Sequence, residues 1–246
     1  MPDWQAEAII LSVRPHGEGS AVISVLTADY GRHAGLVRGS ASSKMRGIIQ
    51  PGNRVRVSWR ARLSEQLGQM QIELVQSVPA LLLDSPLRLS GVASMCALLD
   101  GALPEREAQP GLFEGSAALL DVIVLDDDNA GWVEGYVRWE LGLLAAVGYR
   151  LDLARCVASG QTSDLAFVSP KSGGAVARHQ AGSFASRMLA LPMFLGGISC
   201  GKHDWIAGLD LTGYFLSKRV FAAHNLDLPA QRKRLADMVD SRYNGK

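Results

Sequence analysis

Long apolar runs, a cysteine framework and any catalytic signature are missing from these 246 residues, and each absence narrows the function. No run approaches the roughly 20 apolar residues that a membrane-spanning helix needs. The N-terminal Met1-Pro2-Asp3-Trp4 carries no basic leader, so a soluble, cytoplasmic protein with no membrane partner is expected. The three cysteines, Cys96, Cys156 and Cys200, are odd in number and widely spaced, which implies no disulfide framework. Aromatic residues make up only 7% of the chain. Gly-x-Ser-x-Gly, His-Glu-x-x-His and paired-carboxylate signatures are absent, so no residue is assigned a catalytic role and a non-enzyme is expected.

Net charge is also nearly missing, at +1, but the balance is uneven along the chain. Residues 1–80 hold nine Lys/Arg against six Asp/Glu, residues 81–150 four against eleven, and residues 151–246 twelve against seven. An acidic middle between two basic ends suits distinct surfaces, with a polyanion meeting the ends. The sharpest pattern lies in the first segment. Arg54, Arg56, Arg60 and Arg62 alternate with Val55, Val57, Trp59 and Ala61. Successive side chains of a strand point to opposite faces, so this segment would bury Val, Val, Trp and Ala and turn four guanidiniums outward. A solvated face normally mixes signs, whereas this stretch has no acid before Glu65, which favours a polyanionic partner.

The first eighty residues carry five short apolar stretches (4–14, 21–26, 32–38, 53–63 and 70–78), separated by turns such as Asp29-Tyr30-Gly31 and Pro51-Gly52-Asn53. Five strands with such turns suit an OB-fold barrel. Past Pro79 the period becomes helical, with starts and stops at Ser85-Pro86 and Gly148. Helical stretches are expected at 86–101, 112–125, 132–147, 184–191, 204–223 and 229–239. The sequence therefore predicts an α+β protein: an OB-fold domain over 1–80, then a helical domain over 81–246 with an irregular insert at about 151–182.

Two further motifs bear on function. Gly196-x4-Gly201-Lys202 nearly matches a phosphate-binding loop, but His203 stands where Ser or Thr would reach magnesium, and no βαβ alternation surrounds it. A glycine-rich turn accounts for it better than a nucleotide hydrolase. Cys156, His179, Cys200 and His203 are metal-capable types, yet only Cys200 and His203 have ligand-pair spacing. Lys218 and Arg219, with Arg232, Lys233 and Arg234, form a second basic concentration that could extend an electropositive track.

The order Trp4, Ala8-Ile9-Ile10-Leu11-Ser12-x-Arg14, Gly17-Glu18-x-Ser20, Leu26-Thr27-x-x-x-Gly31, Gly35-Leu36-Val37-Arg38-Gly39 and Gln50-Pro51-Gly52 resembles the RecO family of bacterial recombination mediators. The likeness continues through Glu140-Leu141-x-Leu143-Leu144-x-x-x-Gly148-Tyr149-x-Leu151-Asp152-Leu153-x-x-Cys156 and spans nearly the whole chain. It implies an N-terminal OB-fold, a helical C-terminal domain and a non-catalytic DNA-repair factor. Such a factor binds single- and double-stranded DNA and anneals complementary strands. With RecR it loads RecA onto DNA coated by single-strand-binding protein, whose acidic, Phe-ended tail it docks. An OB-fold module for RNA is the rival.

On this resemblance the DNA contacts are expected from Arg38, Lys44, Arg46, Arg54, Arg56, Arg60, Arg62, Lys218 and Arg219, with Arg138 meeting the tail. The alternative for Arg138 is an intrahelical pair with Glu134, four residues earlier. Many family members hold zinc with two Cys-x-x-Cys pairs. Here the corresponding segments read Cys156-Val-Ala-Ser159 and Ala177-Arg-His-Gln180, so no cofactor is expected.

Overall fold

The computed structural model describes residues 2–126, 131–198 and 204–243. Five strands open the chain: β1 (Asp3–His16), β2 (Ser20–Thr27), β3 (Gly31–Arg38), β4 (Arg54–Arg60) and β5 (Gln69–Gln76). They close into a barrel in the order β1-β2-β3-β5-β4. Neighbours are antiparallel except β3 and β5, which meet in parallel at the single pair Leu36 and Gln69. This is the OB-fold topology. Val55, Val57 and Trp59 turn inward to join Ile10, Ile23 and Val25 in the barrel core, as the alternation requires. Gly31 opens β3 at φ +59°, and a Cβ there would lie 1.8 Å from the Glu107 carbonyl oxygen, so only glycine lets that loop approach.

Between β3 and β4 lies α1 (Ser43–Ile48), outside the helical stretches expected from the sequence. Six residues are too few to display a helical period. Local bonds hold it instead. The Ser42 hydroxyl accepts from the Met45 amide at 3.2 Å, and the Asn53 side chain donates to the Gly47 and Ile48 carbonyls at 3.0 and 2.8 Å.

Two helices, α2 (Pro86–Ala102) and α3 (Pro110–Leu125), pack on β1 and β2. Ala8–Leu11 and Ser24–Thr27 are therefore buried in succession instead of alternately. The Cys96 thiol donates to the Ile10 carbonyl at 3.5 Å, and Arg88 of α2 donates to the Asp126 carbonyl beyond α3 at 2.9 Å. By its contacts the chain divides at Asp126, into Met1–Asp126 and Asp127–Lys246. Residue 80 marks where the strand pattern ends, while the barrel's cover extends 46 residues further. Ser85 precedes α2 and Pro86 opens it, but the Ser85 side chain makes no capping bond.

The second unit holds α4 (Trp132–Ala146), β6 (Asp152–Cys156), β7 (Leu165–Val168), β8 (Gly174–Ala177), α5 (Arg178–Ala181), β9 (Leu189–Ala190), α6 (Asp204–Phe215) and α7 (Ala230–Tyr243). The segment expected to be irregular is instead most of a four-stranded sheet, ordered β6-β8-β7-β9. Its strands have two to five residues, and β8 is buried throughout, so no alternation could announce them. The helix expected at 184–191 is a 3-10 turn, Gly182–Arg187, running into β9.

Candidate nucleic-acid interface

The four arginines around β4 do not share one environment. Arg54 is bound to α3: it donates to the Ala117 carbonyl and pairs with Asp121 at 2.8 Å. These bonds to α3 set Arg54 apart from the other three arginines. Arg56 is exposed, but its directly opposite neighbours are Glu7 on β1 and Glu73 on β5. Arg60 is exposed beside Asp3 and Gln69, and Arg62 is exposed two residues past the strand. Opposite residues in antiparallel strands share a face with Cβ atoms about 5 Å apart. The outer face therefore does mix signs. Its acids come from flanking strands, which one strand's sequence cannot reveal.

Positive charge is less opposed at the end of β3. Arg38 is exposed there, and α1 adds exposed Lys44 and Arg46, with no acidic partner within 4 Å among the described residues. Arg38 and Arg60 line a cavity of about 720 Å³, whose walls include Trp4, Trp59, Met45 and Met70. A second cavity of about 710 Å³, lined in part by Lys44, shares Met45 and Ile72 with it. Trp59 points into the barrel and Arg60 out of it, yet both border the same opening. The cause is topological: β3 and β5 pair at Leu36 and Gln69 and then diverge. Trp59 keeps to the face away from the arginines, as the alternation requires, and is 3% exposed in the barrel core.

The aromatic wall is itself ordered. Trp4 stacks on Tyr30 with centroids 4.4 Å apart and lies 5.8 Å from Trp59, nearly parallel to both. His33 meets both indoles edge-on. Neither His33 ring nitrogen has a hydrogen-bond partner among the described residues. Burial, reinforced by the Arg106 guanidinium, lowers its pKa to about 4, so the imidazole is neutral at pH 7.

In the second unit Lys218 and Arg219 are exposed on a π-helical turn, Leu216–Phe221, and Arg219 donates to the Lys171 carbonyl at 2.9 Å. Arg232, grouped by sequence with that basic surface, is 1% exposed. Its guanidinium holds Glu140 through Nε at 2.5 Å and Nη2 at 3.0 Å, and donates to the Leu209 carbonyl at 2.8 Å. Thr212 completes the network by donating to Glu140 at 2.5 Å. This clamp joins α4, α6 and α7, and the basic run around Arg232 gave no sign of it.

Arg138 donates to the Phe194 carbonyl and sits over the Phe194 ring, 5.6 Å from its centroid. Glu134 instead accepts from the Trp205 indole at 3.3 Å. The apolar side of α4 is spent on the unit's own core, including Trp132, Tyr136, Val137 and Leu143.

Cys156 occupies the one retained ligand position of the zinc-type segments. Its sulfur accepts the Ala177 amide at 3.3 Å, where the second pair of ligands would begin. Burial pushes the thiol up, but hydrogen bonds from the Ser159 hydroxyl and the amides of Ala177, Ala158 and Ser159 outweigh it and bring the pKa down to about 7. Ser159 itself bonds Gln161 at 3.2 Å, and one sulfur with Ser, Ala and Gln does not fit a zinc ion. Among the described residues no group of three His, Cys, Asp or Glu is placed to hold a metal. Cys200, His203 and most of the Gly196 to Lys202 loop lie outside the described residues.

Comparison with known proteins agrees with this architecture. Residues 1–78 match the family model for the recombination protein O N terminal domain, and residues 83–226 match that for its C terminal domain. A DNA repair protein RecO from Rhodospirillum centenum is 47% identical over 96% of this chain and 94% of its own length. One from a Jannaschia species is 45% identical over 97% and 96%, and one from Gluconacetobacter diazotrophicus 43% over 99% and 97%. Two domain models in order and this identity over almost the full length show that the chain belongs to the RecO family of DNA repair proteins.

Proposed function

We propose that this chain is a non-catalytic recombination mediator. It binds single- and double-stranded DNA, anneals complementary strands and, with RecR, helps load RecA onto DNA coated by single-strand-binding protein. The observation that carries this proposal is the convergence of Arg38, Lys44 and Arg60 on adjoining cavities of a closed OB barrel, with Arg46 exposed on the same short helix as Lys44. Guanidinium and ammonium groups neutralising phosphates release counterions, which gives salt-sensitive binding that reads little sequence. A strand annealer needs that, because it must hold any two strands with their bases free to pair.

Arg54 is left out of the DNA track, and Arg56 contributes less than Arg60. Lys218 and Arg219 remain contacts of the second unit. The tail of single-strand-binding protein is assigned to the exposed Arg138 and the Phe194 ring beneath it, a cation over an apolar surface that suits a terminal Phe carboxylate. The protein works without zinc. Annealing of complementary oligonucleotides coated by single-strand-binding protein, measured with and without RecR, tests the proposal. Acceleration in the presence of this chain is expected; rates at the protein-free level would refute it, and equal activity on RNA alone would favour the RNA module.

A further inference from the structure

The barrel closes through a single residue pair where β3 meets β5. The Leu36 amide donates to the Gly68 carbonyl at 3.1 Å, Leu36 stands opposite Gln69, and the two strands pair nowhere else among the described residues. On its other side β5 is paired with β4 along its length. Alternate residues of a strand turn their backbone groups to the same side. The N–H and C=O groups of Ile72 and Leu74 therefore face the β3 side, as that of Gly68 does, with no strand beside them. Leu74 marks the same opening with its side chain. Alternation puts it in the inward set with Met70 and Ile72, which are 3% and 8% exposed, yet it is 42% exposed. It lines a cavity of about 710 Å³ together with half-buried Met45 and Ile48 of α1, and Lys44, Ser42 and Glu73 stand around them.

We infer that this groove receives an extended, acidic segment of a partner protein, added as a strand to the free edge of β5. An apolar side chain of that segment sits against Leu74, Met45 and Ile48, and its carboxylates meet the cations nearby. Strand addition takes its affinity from backbone hydrogen bonds and its specificity from a pocket for alternate side chains, and the groove offers both. Charge complementarity selects an acidic occupant. Lys44 and Arg46 are exposed on α1, which carries no acid, and Arg38 is exposed at the end of β3, whereas Glu73 is the one acid lining the cavity among the described residues. A nucleic-acid strand would satisfy those cations, but it has no amide edge to pair with Ile72 and Leu74 and gains little from the apolar floor. Arg38 and Lys44 are also DNA contacts in the function proposed above, so a segment docked here would loosen a DNA strand at that end. The docking site itself stands without that reading.

The test titrates the full chain with the peptide acetyl-Asp-Val-Asp-Leu-Asp-Val-Asp-amide by calorimetry. Its capped end carries no terminal carboxylate, which separates this site from one for an acidic, Phe-ended tail. Wild type is expected to bind it. N-methylating the amides along one edge of the peptide should weaken binding about tenfold, and N-methylating the other edge should not, because only one edge pairs with β5. Leu74→Gln, which keeps the charge, should weaken binding about fivefold or more and leave the affinity for oligothymidine unchanged. Lys44→Glu, at an exposed position, should weaken peptide binding about threefold. Absence of wild-type binding would overturn the site, and so would indifference to both N-methylated peptides. Full affinity in both variants would overturn its placement beside β5. If Leu74→Gln instead lowers oligothymidine binding and spares the peptide, the groove belongs to a nucleic-acid strand and the peptide site is overturned.

Discussion

Two arginine-rich stretches that look alike in sequence meet opposite fates. Around β4, Arg56, Arg60 and Arg62 stay exposed, whereas in α7 Arg232 is sealed against Glu140 with 1% exposure. Even within β4 the contrast recurs, since Arg54 is tied to α3 and Arg60 opens onto the groove. What separates them is what packs nearby. A guanidinium under a helix becomes a structural fastener; one beside an uncovered seam remains available to a ligand.

The largest expected break in this comparison is Arg232→Met. It leaves the Glu140 carboxylate buried and unpaired, which should cost about 3–5 kcal/mol in urea unfolding. Adding Glu140→Leu should restore most of that loss. A cost below about 1 kcal/mol for the single variant would show that Arg232 behaves like the exposed arginines after all.

Acid should act on the barrel through His33. Its folded pKa of about 4 lies below the usual 6.5, so the stability it contributes is present above pH 6.5 and is lost as the pH falls toward 4. Urea midpoints should drop across that window, and His33→Phe should flatten the drop. The second unit has a counterpart in Cys156. A thiol at about 7 against its ordinary 9 makes the folded state gain stability from pH 7 to pH 9, and lose it again as the pH falls through 7. Cys156→Ser should remove that rise, and elemental analysis should find no stoichiometric zinc before or after.

The β4 contrast is sharpened by a pair of smaller effects. Arg54→Ala should destabilise by about 1 kcal/mol and leave the salt dependence of DNA binding unchanged. Arg38→Ala with Arg60→Ala should leave stability unchanged and lower the log–log salt slope by roughly 0.7 per lost contact on single strands. A slope that falls with Arg54→Ala would put that residue back on the DNA track. Smallest is Arg138→Ala, expected to cost under about 1 kcal/mol of stability because the side chain is exposed. Its peptide affinity is the sharper readout: unchanged binding of an acidic, Phe-ended peptide would release Arg138 from the partner role.

The sequence by itself determined the barrel and most of the helices. Strand alternation and helical periodicity are local, so Val55, Val57 and Trp59 announced their burial and α2, α3 and α4 announced their extents. That Ser159, Ala177 and Gln180 are not zinc-ligating residue types is equally legible, because residue identity needs no geometry. Short elements were not legible: α1, β8 and β9 are held by caps and neighbours, and two to six residues carry no period. The tertiary structure alone decided which arginines are free. Glu7 and Glu73 stand opposite Arg56 from 49 and 17 residues away in sequence, α3 claims Arg54, and Glu140 claims Arg232 across 92 residues. It also decided that Trp59 and Arg60, on opposite faces of one strand, share a groove, because only barrel closure determines where two strands part.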